Sequence, residues 1–188
     1  METPYEDFLP IETQRLQLRR FCANDLHAFQ TYRSDPELGR YQSWEAMSDD
    51  EARAFLGQQV DATFGPAGQW LQVAIVRRDT GELIGDVGLC VSDAEPGTGE
   101  IGYTLTRSSQ GHGYATEAVT ALLDIVLGRA RVHSVRAVTD ARNEPSIAML
   151  RRMRFELEST VRTQFRGEVC DEHAFRLTAH RWAGRHAG

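Results

Sequence analysis

The sequence predicts an α/β (α+β) domain built on a mixed sheet, and three observations carry that expectation. Segments that alternate polar and apolar residues are interspersed with segments whose apolar residues recur at helical spacing. The two kinds follow one another in the order β-α-α-β-β-β-α-β-α-β-β, which fits a mixed sheet with helices against it. The 188 residues, 41% of them hydrophobic, suffice for one core and not obviously for two, so residues 1–188 read as a single domain.

Each element has a local justification. Arg15-Leu16-Gln17-Leu18-Arg19 alternates as a half-buried strand does. Asn24 and Asp25 offer caps to a helix with Leu26, Phe29 and Tyr32 on one face, closing before Asp35-Pro36. Ser48-Asp49-Asp50-Glu51 is a capping box, and it opens a helix carrying Phe55, Leu56, Val60 and Phe64. A strand pair follows, Leu71 to Val76 and Leu83 to Val91, turned at Asp79-Thr80-Gly81-Glu82. After the Ala94–Gly99 loop, Glu100 to Leu105 alternates again. A polar, glycine-bearing loop from Ser108 to Gly113 then leads into a helix with Ala118, Ala121, Leu122, Ile125 and Val126 in one wide stripe. Gly128 is expected to end it in a left-handed conformation. Ser134 to Val138 forms a short strand, and Asn143-Glu144-Pro145-Ser146 starts a helix lined by Ile147, Leu150 and Met153. Phe155 to Phe165 and Cys170 to Thr178 close the chain as strands joined at Arg166-Gly167.

Composition narrows the function. A formal net charge of −6 argues against a general nucleic-acid binder, which needs a basic face. Cys22, Cys90 and Cys170 are far apart and read as free thiols of a reducing compartment. The six histidines show no metal spacing, so no metal is expected. The acidic first ten residues are no signal peptide, and no stretch approaches the ~20 apolar residues that span a bilayer. These observations make no membrane partner and a cytoplasmic location the expectation.

The segment Gln110-Gly111-His112-Gly113-Tyr114-Ala115-Thr116-Glu117-Ala118 carries the most chemistry. Its glycines let the backbone approach a ligand, and the first helical amides lack internal partners. Such a loop can hold a pyrophosphate, or it can be merely a tight strand-to-helix turn. A dinucleotide fingerprint wants glycine where Thr116 stands, and a P-loop wants Gly-Lys-Ser/Thr, which is absent.

Gln110, Gly113 and Ala115 match a Gln/Arg-x-x-Gly-x-Gly/Ala pattern that resembles the acyl-CoA signature of the GNAT acetyltransferases. Glu100-Ile101-Gly102-Tyr103 looks like that family's central fourth strand. Asn143-x-x-Ser146 with Leu150 and Phe155 is similar to its Asn-x-x-Ser/Ala…Gly-Phe block, and Glu12 to Arg19 resembles the start of the ribosomal-protein N-terminal acetyltransferase branch. The likeness runs in order from about Ile11 to Arg181.

The resemblance implies a mostly antiparallel twisted sheet of about seven strands and about four helices, with the fourth and fifth strands splayed. It implies acetyl-CoA as co-substrate, its arm bonding strand backbone at Tyr103, Leu105 and Thr106. The pyrophosphate would rest on the amides of Gly111, His112, Gly113, Tyr114 and Ala115, Asn143 would bond the arm, and Gln110, Thr116 and Ser146 would also meet the cofactor. The acceptor would be a primary amine, on a protein N-terminus or a small molecule. Amine acetylation needs a neutral amine and a proton for the leaving thiolate. Glu100 matches the position of the family's base, and it also reads as an edge glutamate that is only solvated or that binds a cationic substrate. The tyrosine acid of many relatives is Leu150 here, so Ser146 is the nearest candidate, though serine is equally at home at a helix start. Arg154 replaces the family's glycine before Phe155, a left-handed position that costs an arginine roughly 1–2 kcal/mol, so the local turn is open to change. His112 and the Arg151, Arg152, Arg154 run read chiefly as solvated, and Tyr41, Trp44 and Trp70 as core or acceptor wall. A non-catalytic acyl-CoA-binding domain remains the alternative, and a monomer and a homodimer are both compatible.

Overall fold

The computed structural model describes residues 7–42, 44–128 and 132–186. One sheet contains β1 (Ile11–Glu12), β2 (Leu16–Arg19), β3 (Trp70–Arg77), β4 (Leu83–Val91), β5 (Thr98–Leu105), β6 (Ser134–Asp140), β7 (Glu156–Phe165) and β8 (Glu168–Thr178). Their spatial order is β1-β2-β3-β4-β5-β6-β8-β7. Every neighbouring pair is antiparallel except β5 and β6. That parallel pair is registered only from Thr98 opposite Ser134 to Glu100 opposite Arg136. Beyond Glu100 the two strands part, and the sheet opens at its centre.

The helices are α1 (Leu26–Arg33), α2 (Pro36–Gly39), α3 (Asp49–Val60), α4 (Tyr114–Val126), α5 (Glu144–Arg152) and α6 (Ala179–Ala183). The larger core joins α4 and α5 to one face of the sheet through Leu122, Leu123, Val126, Leu150, Ile101, Leu105 and Phe175. A smaller core on the opposite face packs Phe29 and Tyr32 of α1 and Leu56 of α3 against Ala74 and Val76. Alternation along β5 therefore sends Ile101, Tyr103 and Leu105 toward α4 and α5, and Glu100, Gly102 and Thr104 toward α1.

The predicted elements recur with small differences. The capping box of α3 is present, the Ser48 and Glu51 side chains serving each other's backbone amides. That helix ends at Val60, so Phe64 packs into the larger core from the following loop rather than from the helix. Asp35-Pro36, read as a stop, also starts α2: the Asp35 carboxylate accepts from the Glu37 amide at 3.0 Å. Gly128 does not take the expected left-handed conformation. It is needed for space, since a Cβ there would lie 2.4 Å from the Asp124 carbonyl oxygen.

Arg154 keeps the left-handed turn despite its side chain, with φ of 68°. The Phe155 amide reaches back to the Leu150 carbonyl and the Arg154 amide to that of Arg151, the two bonds of a Schellman cap. The β7–β8 hairpin turns at Arg166 and Gly167, both at positive φ, as a two-residue type I′ turn requires.

Candidate active site

The parting of β5 and β6 opens a cavity of about 1140 Å³ that runs from the loop before α4 to the first turn of α5. Its walls include Tyr103, Leu105, Gln110, Gly111, Gly113, Tyr114, Ala115, Thr116, Asn143 and Ser146, all singled out from sequence. Thr106, His112 and Glu100 stand outside these walls. Thr106 serves the turn instead, donating its amide to Ile84 and its hydroxyl to Ser109. His112 is exposed and stacks on Tyr114.

The loop is shaped by its glycines. Gly111 and Gly113 have φ of 78° and 81°, left-handed values that penalise any residue with a Cβ. Gly113 caps α4 without a side chain, so the first amides of that helix have no capping oxygen and face the cavity with the positive end of the helix dipole. Two contacts fix the loop. Gln110 donates its side-chain amide to the Leu105 carbonyl at 3.1 Å, tying the loop to β5. Arg15, before β2, donates to the His112 carbonyl at 2.9 Å and to Glu117 at 2.7 Å, and lies 4.5 Å over the Tyr114 ring. Burial raises the Glu117 carboxyl, but bonds from Thr13 and Arg15 outweigh it and hold it below its usual range. No local sequence signal marks Arg15 for this role, because its partners are about 100 residues away in the chain.

The first turn of α5 closes the other end. The Asn143 side chain accepts from the Ser146 amide at 3.4 Å, the capping geometry expected of it. The Ser146 hydroxyl lies 2.9 Å from the Tyr103 hydroxyl, bridging α5 and β5. Across the cavity stand Glu37, Leu38, Tyr41 and Gln42, all within the Tyr32 to Met47 region that the family resemblance assigns to the acceptor, though Tyr41 alone was named individually from sequence. Gln42 donates to the Tyr103 carbonyl at 3.3 Å. Arg152 lines the cavity, whereas Arg151 and Arg154 do not.

Glu100 sits on the opposite face of β5 from Tyr103, opposite Cys90 of β4 and Arg136 of β6. It is partly buried, and no ion pair involves it among the described residues. Burial, and next the charge of Glu100, push the Cys90 thiol above its ordinary range. Behind this face, Asp86 of β4 accepts from the Tyr32 hydroxyl and, at 2.8 Å, from the Arg33 guanidinium. Arg33 also lies 4.6 Å over the Trp44 ring, and Arg166 of the β7–β8 turn donates to the Gln42 and Trp44 carbonyls. The segment beside the cavity is thus held from two sides.

The sheet is thus parted beside a glycine-built loop and an uncapped helix start, with hydroxyls and carboxylates around the gap. The profile of the acetyltransferase (GNAT) domain matches residues 15–156, and the chain belongs to that family of N-acetyltransferases. An uncharacterized N-acetyltransferase, p20, of Bacillus licheniformis is 32% identical over 187 residues, 98% of this chain and 100% of its own. RimL, the ribosomal L7/L12 alpha-N-protein acetyltransferase solved with coenzyme A, superposes with a TM-score of 0.78 at 19% identity, over 90% of this chain and 97% of its own. Spermidine N-acetyltransferase from Vibrio cholerae, solved with CoA and spermine, gives 0.78 at 17% identity over 91% and 99%.

Proposed function

We propose that the chain, acting as one domain, transfers the acetyl group of acetyl-CoA directly to a primary amine of a protein N-terminus or a small molecule. The observation that carries this reading is the single cavity of about 1140 Å³ whose walls include both the uncapped start of α4, suited to a pyrophosphate, and Ser146 at the start of α5. The chain's residues divide the work. Backbone amides of Gly111 to Ala115 hold the anion, and Asn143 and the free edge of β5 hold the arm. Glu100, outside the cavity walls at the point where β5 and β6 part, takes through water the proton that the amine loses, since an amine of ordinary pKa near 10 is mostly charged at neutral pH. Cys90, kept protonated by burial and by Glu100, is a poor nucleophile, which supports direct transfer over an acyl-cysteine.

Release of CoA thiol from acetyl-CoA, followed against a panel of peptides with free N-termini, polyamines and amino acids, tests the reading. Turnover with at least one amine is expected. Glu100→Gln should lower kcat by about 10²-fold or more while acetyl-CoA still protects the fold. An unchanged kcat would remove Glu100 from the chemistry, and binding without turnover on any amine would favour a non-catalytic acyl-CoA-binding domain.

A further inference from the structure

Granting the proposed transfer, the departing thiolate needs a proton. Ser146 faces the cavity, but an aliphatic hydroxyl is a far weaker acid than a thiol of ordinary pKa about 8.5. Left alone, it can donate a hydrogen bond to sulfur but not a proton. The hydroxyl 2.9 Å behind it changes that balance, because a phenol, even one raised by burial as Tyr103 is, is a far stronger acid than an aliphatic alcohol. Either hydroxyl can donate in this bond; the phenol is the better donor of the two, and when Tyr103 gives its hydrogen to Ser146 Oγ the serine's own hydrogen is free for a third group. Asn143 holds the backbone of that serine, and no other side chain is bonded to its hydroxyl among the described residues.

We propose that Tyr103 is the positioning residue and ultimate proton source for the leaving thiolate, acting through Ser146. As the thioester C–S bond breaks and its electron pair stays on sulfur, the Ser146 proton moves to sulfur and the Tyr103 proton moves to Ser146. The ammonium nitrogen gives up two protons on becoming an amide, the first through Glu100 and the second as the amide forms; both pass to solvent, the phenolate recovers one from it, and the net release is one proton per transfer. Burial pushes the Tyr103 hydroxyl up, while the Ser146 bond and the Arg152 cation oppose it, so Tyr103 rests protonated with a cation near the charge that forms. Of the other charged groups on the cavity wall, Arg107 is paired with Asp35, Arg142 with Asp140 and Glu168, and Glu117 with Arg15. Glu37 and Glu144 also face the cavity, and a control ligand lacking sulfur cancels their titration.

Two readouts test this. The first needs no acceptor: calorimetric affinities of CoA and desulfo-CoA compared between about pH 7 and 9.5, where a thiol ionises. For the wild type the CoA/desulfo-CoA affinity ratio should rise at least fivefold as the thiolate forms, and for Tyr103→Phe and Ser146→Ala it should stay flat. The second is single-turnover thiol release with an amine that the wild type accepts. Tyr103→Phe should be about 10²-fold slower with KM for acetyl-CoA within about twofold, and the double variant no slower than Ser146→Ala. Should Tyr103→Phe fail to fold, site-specific fluorotyrosine at 103, a more acidic phenol of nearly the same shape, should move the high-pH fall of kcat downward. A ratio that rises in Tyr103→Phe as in the wild type, or a pH limb unmoved by fluorotyrosine, would overturn the proposal. Absence of turnover with every amine would instead sink the proposed transfer, and the CoA/desulfo-CoA ratio would still decide Tyr103.

Discussion

The loop before α4 and the cluster beneath α1 flank the same sheet and are built on opposite principles. The loop presents backbone: two left-handed glycines and a helix start with no side-chain cap. The cluster presents side chains, with Asp86, Arg33 and Tyr32 all nearly removed from solvent and bonded across more than 50 residues of sequence. Backbone recognition needs only a short segment and tolerates its surroundings. A buried ion pair tolerates nothing, because each charge has lost its water and depends on its partner. The difference predicts that damage to the loop shows as lost cofactor affinity, and damage to the cluster as lost stability.

The largest effect is expected at the cluster. Asp86→Ala leaves the Arg33 guanidinium buried without its counter-ion and the Tyr32 hydroxyl without its acceptor, and should cost about 3–5 kcal/mol in urea unfolding. A loss below about 1 kcal/mol would mean that water reaches the cluster and the comparison fails on that side. The smallest effect is at the end of α5. Arg154→Gly relieves a left-handed arginine at φ of 68° and should stabilise by roughly 1 kcal/mol, read in the same experiment.

What the sequence made legible follows the same division. The eleven expected strands and helices, the Ser48 box, the Asn143 cap and the Gln110–Gly113 loop are all local, fixed by a few neighbouring residues, and appear where they were expected, while the short β1, α2 and α6 were not foreseen. The splay of β5 from β6 was expected only through resemblance, since no short segment encodes the point where two strands stop pairing. The contacts of the segment beside the cavity were hardest to read. Gln42 reaches Tyr103 across 61 positions and Arg166 reaches Trp44 across 122, and neither residue type announces such a contact. Tyr103 and Ser146 were each singled out, but their bond spans 43 residues and had no signal in either segment. Gly128 was misread because glycine after a helix has two uses, a left-handed turn or a close approach, and only the packing distinguishes them.

The central claim is that the loop before α4 holds the pyrophosphate of acetyl-CoA, and thermal unfolding tests it most directly. With acetyl-CoA at ~100 times its dissociation constant the wild type should gain roughly 2.7 kcal/mol, a rise in Tm of roughly 5–10 °C, while ATP and NAD give little. Gly113→Val should lose most of that rise, since a β-branched residue cannot easily hold φ of 81° there. No shift with acetyl-CoA, or an equal shift with ATP, would contradict the account.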